Sequence, residues 1–577
     1  MRSRVPDGTQ NENGVRRREV LERNSKLKGE TLRMLPRRMK SFARNTALFA
    51  GAVFVNTIMV SAIPAEGQVA VTTYHNDNYR TGWNSSETAL TPSNVGSSSF
   101  GLLQTVTLNE QVDAQPLVVP GVNITAGNFQ GQHDVVYVVA ESDTVYAIDV
   151  HSGTVLLSPR FGAPVHQPLG CANNGPNVGI HSTPVIDLSS NTMYVIMYTQ
   201  DASGPTYRIH ALDLGSLSDK VTPLVVTASH TLTDGTTFTF NATYQRQRPG
   251  LLLANGNVYA GFGSFCDLAA NLSRGWLLGW TAGSLTPLAA NQIFDTQATS
   301  PNSFFLTAVW MSGYGLATDS SGNILFVTGN SDYSGTTYDG VSNIQESVVK
   351  VSPNLTTVLD LFTPKNQAVL EQTDADFGSG GVMVLPDQTG SIPRLAVAAG
   401  KVGSMFLMNE DNLGGYSTTH NNVLGGYNVG NCWCGPSYFV DPDGAGRVVS
   451  SGGKTIKVWK LQTSSKPSLT NVTSSGAVGG GQSGGFFTSI SSNGTSSPII
   501  WSLSHATGSA NTIFLYAFDP DSGGSSMKQL LKVSAGSWPF ILGNANLVPV
   551  VANGQVFVAT YKQLQIFGLK SSSKKKK

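Results

Sequence analysis

Four cysteines, Cys171, Cys266, Cys432 and Cys434, are the residues of this chain most open to distinctive chemistry. An even number permits disulfides in an oxidising compartment. Cys171 with Cys266 is one pairing among several that the spacing leaves open. No C-x-x-C-H occurs, so no c-type haem attachment is encoded. Cys432-Trp433-Cys434 lacks the second ligand pair of a zinc site and reads as structural. Gly481-Gln482-Ser483-Gly484-Gly485 fits G-x-S-x-G, but a nucleophile elbow needs a strand, a sharp turn and a helix. Here a glycine-rich run, 479–485, leads into an apolar strand, 486–490, so hydrolase chemistry is not expected. His75, Asp77 and Arg80 cluster in a segment expected to be structural. His181, in Gly179-Ile180-His181-Ser182-Thr183-Pro184, could face a central axis, but a hydrogen-bonded structural imidazole is the expected reading. The seven N-x-S/T sequons, at Asn84, Asn123, Asn241, Asn271, Asn354, Asn471 and Asn493, matter only in a eukaryotic secretory host.

The elements that must carry these residues are short strands. Only 13% of the 577 residues are charged and 62 are glycine, against about 25% charged in a typical soluble domain. That composition suits strands joined by tight turns and not helical bundles. A unit recurs: an apolar strand, a turn, a second strand ending in Ala-x-Asp, then a glycine turn. Residues 135–140 lead to Tyr146-Ala147-Ile148-Asp149 and then Ser152-Gly153. Residues 193–197 lead to His210-Ala211-Leu212-Asp213, and 513–516 run into Ala517-Phe518-Asp519. Weaker copies pair 258–263 with 275–280, 324–328 with 347–351, 395–399 with 405–408, 448–451 with 456–459, and 556–560 with 564–567. Eight copies, each with room for four strands, predict an all-β, eight-bladed propeller of four-stranded antiparallel blades. The last copy lacks an outermost strand, and residues 100–108 are unassigned. They are expected to complete it and close the ring, removing an exposed sheet edge.

Outside the repeats the chain is bipartite. Residues 46–63 are apolar, follow Arg37, Arg38, Lys40 and Arg44, and end in small residues. Residues 1–65 therefore read as a basic extension with a secretory signal, cleaved after Ala62 or Ala65, or retained as an N-terminal signal anchor. Residues 66–570 form the single propeller domain, and 571–577 a disordered lysine-rich tail. Residues 1–45 hold thirteen Lys/Arg and five Asp/Glu, so the remainder carries 24 basic and 31 acidic residues, near −7. An acidic body offers no nucleic-acid-binding face. After signal cleavage no membrane span is expected, and the destination is the periplasm or the extracellular space.

The repeats resemble those of the pyrroloquinoline quinone (PQQ) propellers, the quinoprotein alcohol dehydrogenase-like family. Tyr74-His75-Asn76-Asp77 through Leu90-Thr91-Pro92-Ser93-Asn94-Val95 is similar to that family's N-terminal segment. Residues 309–330 (VWMSGYGLATDSSGNILFVTGN) resemble the stretch carrying a quinone-stacking Trp and a calcium-ligating Asn, which implies Trp310 and Asn330. Phe362-Thr363-Pro364 and Asp374-Ala375-Asp376-Phe377 resemble the stretch with the catalytic base, which also touches the metal; this implies Asp376. Ala399-Gly400-Lys401-Val402-Gly403 resembles the strand whose basic residue binds the quinone oxygens, which implies Lys401. The remaining metal carboxylate falls on Asp201. The implied cofactors are PQQ and Ca2+, without haem, and the implied substrate is a small alcohol or sugar. The chain departs from the family in lacking adjacent cysteines and an arginine near Cys171, and the Trp after Thr-Pro is missing. These departures leave room for a non-catalytic propeller that binds an extracellular protein, glycan or cell-wall ligand.

Overall fold

The computed structural model describes residues 67–171, 175–269, 272–298, 306–331, 336–478, 484–506, 508–539 and 546–570. The leader, the lysine tail and Gly481–Ser483 lie outside them. Eight antiparallel sheets form an eight-bladed β-propeller. Blade one spans residues 117–157, two 185–225, three 245–293, four 317–363, five 382–428, six 437–474 and seven 488–537. Blade eight is built from 550–569 together with 100–111.

The second strand of blade one, Gly131–Ala140, shows why these sequences make stacked sheets. Val135, Tyr137 and Val139 pack with Val195 and Met197 of blade two. Val136, Val138 and Ala140 point the other way, onto Phe557 and Ile566 of blade eight. Successive side chains of a strand alternate faces, and both faces are buried here, so the strand is apolar without interruption. The Asp at the end of the repeat fastens the following turn. Asp149 Oδ1 accepts from the backbone N–H of His151 and Ser152 (3.1 and 2.8 Å), and Gly153 supplies φ 70°. Asp213 holds the N–H groups of Gly215 and Ser216 in the same way, at 3.0 Å each.

Closure follows the expected route. Phe100–Gln111 pairs antiparallel with Gln555–Leu569, from Phe100 opposite Leu569 to Gln111 opposite Tyr561. The uniform four-stranded blade is corrected in detail. Blades three, four and seven have five strands, and blade eight counts three because Gln555–Leu569 runs on as one long strand. Blade seven gains Trp83–Asn84, which pairs parallel with Thr488–Asn493. The segment around His75 and Arg80 is structural. Arg80 is fully buried and donates to the carbonyls of Leu316 and Leu251 (2.7 and 3.2 Å), tying the N-terminus to blades three and four. The structure pairs Cys171 with Cys266, and Cys432 with Cys434.

Candidate functional site

The candidate site is assembled from the segments that lead into first strands and from the ends of second strands. Trp310 lies just before the first strand of blade four, Ala317–Thr318. Gly329 sits against its Nε1 and Gly263 against its Cβ; a Cβ at Gly329 would come within 3.0 Å of the indole nitrogen, and one at Gly263 within 3.3 Å of the Trp310 Cβ. Asn330 follows the second strand of blade four, Ile324–Val327. Asp376 precedes the 3-10 turn Phe377–Ser379 that leads into blade five, and Lys401 follows the second strand of that blade, Leu395–Ala399.

These four residues come together. Asn330 donates its backbone N–H to Asp376 Oδ1 at 2.8 Å and its Nδ2 to Asp374 Oδ1 at 3.3 Å. Lys401 Nζ lies 2.9 Å from both Asp376 Oδ2 and Asp374 Oδ1. It also stands 5.8 Å from the Trp310 ring centroid and 5.7 Å from that of Trp433. Burial raises the Asp376 carboxyl above its usual range while Lys401 opposes the rise. Burial pulls the Lys401 ammonium down, but Asp376 and Asp374 more than offset it and leave its pKa raised.

Asp201 does not join them. It ends the second strand of blade two, Thr192–Asp201, and is paired with Arg208 at 2.5 Å and hydrogen-bonded to Thr199 at 3.0 Å. Two residues that the sequence reading passed over do belong to the pocket. Glu346 packs beneath it: Phe377 N–H donates to Glu346 Oε2 at 2.5 Å, and burial together with Asp376 raises its carboxyl well above the usual range. Trp433 is held inside the Cys432–Cys434 disulfide loop, against Gly484. A tryptophan bracketed by two cysteines was a legible signal for this position.

A second polar cluster lies nearby. Asp113, Glu141 and His181 bring three ligand-type atoms within 4.8 Å of one another. Glu141 accepts from Gly179 N–H at 2.7 Å, and His181 Nδ1 contacts its other oxygen. Arg246 Nη2 reaches His181 Nε2 at 3.2 Å. A guanidinium only donates, so Nε2 must accept, and Nδ1 carries the hydrogen toward Glu141. That tautomer leaves no lone pair on Nδ1 for a metal. Burial pushes the Asp113 and Glu141 carboxyls up to about 7. Arg248, lowered to about 9 by burial and by Arg246, stands 5.4 Å from the Trp310 centroid. Its side chain links the two clusters.

No protein-family profile and no curated protein sequence matches the chain. Solved structures do. A quinohemoprotein alcohol dehydrogenase of Pseudomonas putida HK5 aligns at TM-score 0.57 and 12% identity, over 88% of this chain and 81% of that one. The quinohemoprotein alcohol dehydrogenase of Comamonas testosteroni aligns at 0.55 and 12%, over 87% and 80%. A europium-containing methanol dehydrogenase aligns at 0.52 and 10%, over 87% and 98%. The fold is the PQQ-type propeller. Within this PQQ-type ring the pocket offers an indole face, an ammonium and a group of buried oxygens. Asn330 Oδ1 and Glu346 Oε1 are both buried without a hydrogen-bond partner. Unpaired buried oxygens are costly unless a cation or donor meets them, so the residues present fit a hard metal ion beside a planar, oxygen-rich cofactor.

Proposed function

We propose that the chain is a divergent PQQ- and calcium-dependent dehydrogenase that acts on a small alcohol or sugar outside the cytoplasm, to which residues 1–65 deliver it. The observation that carries this reading is the meeting of Trp310, Asn330, Asp376 and Lys401 in one pocket, with the Asn330 carbonyl oxygen left unpaired. Trp310 provides a flat apolar face for a planar ring. Lys401 provides the donor for ring oxygens, and Asn330 Oδ1 with Asp376 provides oxygens for calcium. Asp376, buried and therefore a stronger base than an exposed carboxylate, is placed to take the hydroxyl proton of the substrate at one of its oxygens. The quinone, when bound, supplies the hydride acceptor.

The capture of Asp201 by Arg208 favours a second reading, a propeller that binds an extracellular protein or glycan without catalysis. Among the described residues no helix is long and apolar enough to cross a membrane.

One experiment separates the readings. The mature protein is incubated with PQQ and Ca2+ and assayed for dye-linked oxidation of simple alcohols and sugars. The dehydrogenase reading expects quinone bound at micromolar concentration and turnover that falls at least 100-fold in Asp376→Asn. A protein that binds no quinone at that concentration is the non-catalytic propeller. N-terminal sequencing of the exported chain is expected to start after Ala62 or Ala65; an intact leader on the exported chain marks a signal anchor instead.

A further inference from the structure

A cavity of about 240 Å³ opens between blades six and seven, and none of its lining residues belongs to the pocket described above. Two similar turns meet there. The turn joining the first two strands of blade six reads Asp441-Pro442-Asp443-Gly444. The turn joining the last two strands of blade seven reads Asp519-Pro520-Asp521-Ser522-Gly523. Arg447 Nη2 is bonded to Asp441 Oδ2 and, at 2.8 Å, to Asp443 Oδ2. Lys460 Nζ adds a bond to Asp443 Oδ2 at 2.7 Å.

Those bonds leave one oxygen over. Asp441 Oδ1 is buried, in a residue only 8% exposed, and no guanidinium, ammonium, hydroxyl or backbone N–H reaches it. Thr473 lines the same cavity, is only 5% exposed, and its Oγ1 also has no partner. The Asp521 carboxyl lines the same cavity and lies within hydrogen-bond reach of the Asp441 carboxyl. Four acidic side chains, Asp441, Asp443, Asp519 and Asp521, thus stand in these two turns against two basic ones, Arg447 and Lys460. A threonine hydroxyl buried without a donor or acceptor is an independent mark of a missing ligand.

We propose that this cavity is a calcium site, with Asp441 Oδ1, the Asp521 carboxylate and Thr473 Oγ1 as its protein ligands. All three are hard oxygen donors. They come from two turns and an outer strand, an irregular set that suits the larger, geometrically tolerant ion better than Mg2+. The ion would fasten blade six to blade seven.

The site is tested by calorimetric titration of Ca2+ into the EGTA-stripped full-length protein at pH 7.5. Asp521→Asn is expected to abolish one equivalent of binding, and Thr473→Val to weaken it at least tenfold, with circular dichroism unchanged. Asp376→Asn, in the other pocket, should leave this equivalent intact. Identical calcium uptake by wild type, Asp521→Asn and Thr473→Val overturns the proposal and leaves a carboxyl pair that shares a proton. If Asp376→Asn alone removes all calcium, this site falls while the dehydrogenase reading stands. If Asp521→Asn alone removes all calcium, the reverse holds. Mg2+ binding as tight as Ca2+ also rejects the assignment.

Discussion

The ammonium of Lys401 neutralises a carboxylate that burial would otherwise protonate. The side chain of Asp376 is 5% exposed and that of Lys401 13%, so solvent screens the pair little. Replacing Lys401 by methionine keeps the volume and removes the charge. The Asp376 pKa, already raised in the folded protein, then rises further. A carboxyl whose folded pKa exceeds its unfolded value gives stability that is full below the unfolded pKa and is lost as pH climbs through the folded one. Lys401→Met should therefore be close to wild type in urea denaturation at pH 5 and less stable by about 3–5 kcal/mol at pH 8. Equal losses at both pH values would show that the lysine acts through packing alone. The candidate site was legible at this scale only through a family likeness. Trp310, Asn330, Asp376 and Lys401 were picked out because residues 309–330, 362–364, 374–377 and 399–403 resemble segments of the PQQ propellers. Glu346 and Arg248 were not, because a charge next to a strand carries no sign of which distant loop it will meet.

At the level of elements, the turn Phe377–Ser379 and the end of strand Ile324–Val327 approach so closely that only glycine fits between them. A Cβ on Gly378 would fall inside van der Waals contact with the backbone of Thr328 and Gly329. That contact is what brings Asn330 N–H to Asp376 Oδ1. Gly378→Ala must push the two segments apart, at a cost of about 1–3 kcal/mol by the usual toll of overpacking. It should also lower affinity for quinone and calcium at least tenfold without touching either ligand. A variant with wild-type affinity and a lowered thermal midpoint would separate the contact from the site. The strands themselves were readable from their alternation and from the turn-fastening Asp. Blade seven exposes the limit: the repeat marked only its third strand, Thr512–Asp519, and the apolar run 486–490 overlapped only the start of its first. Its first strand, Thr488–Asn493, is rich in serine, and a buried serine leaves no mark in an apolar pattern. The extra strands Trp83–Asn84 and Gly415–Tyr416 pair in parallel with distant partners, a contact that no local pattern encodes.

The described residues between 67 and 570 form a ring that the chain closes on itself, and the closing contact joins residues more than four hundred positions apart. Val106 and Leu108 of Phe100–Gln111 pack with Phe557, Leu564 and Ile566 of blade eight and with Val136 and Val138 of blade one. Without this strand, Gln555–Leu569 would present an unpaired edge and the first and last blades would expose their facing surfaces. An open edge next to a bared apolar face recruits other chains. A protein beginning at Val112 should consequently express as soluble aggregates or be degraded. Because the missing piece is held by a ladder of backbone bonds and apolar contacts and not by its covalent link to blade one, a peptide of residues 67–111 added in trans should restore a monomer. The peptide also carries Arg80 and its bonds to the carbonyls of Leu316 and Leu251, so a shorter peptide of residues 97–111 should restore the edge but recover less thermal stability. Size-exclusion chromatography with light scattering reads the first effect and calorimetry the second. A monomeric, cooperatively folding protein that begins at Val112 and needs no peptide would show that the other seven blades hold the ring without a seam. The closing strand would then be an ornament of the last sheet. Closure of this kind also delays folding, since the loop entropy of nearly the whole chain must be overcome before the final contacts form. The peptide should therefore rescue best when it is present during refolding and poorly when it is added after aggregation has begun.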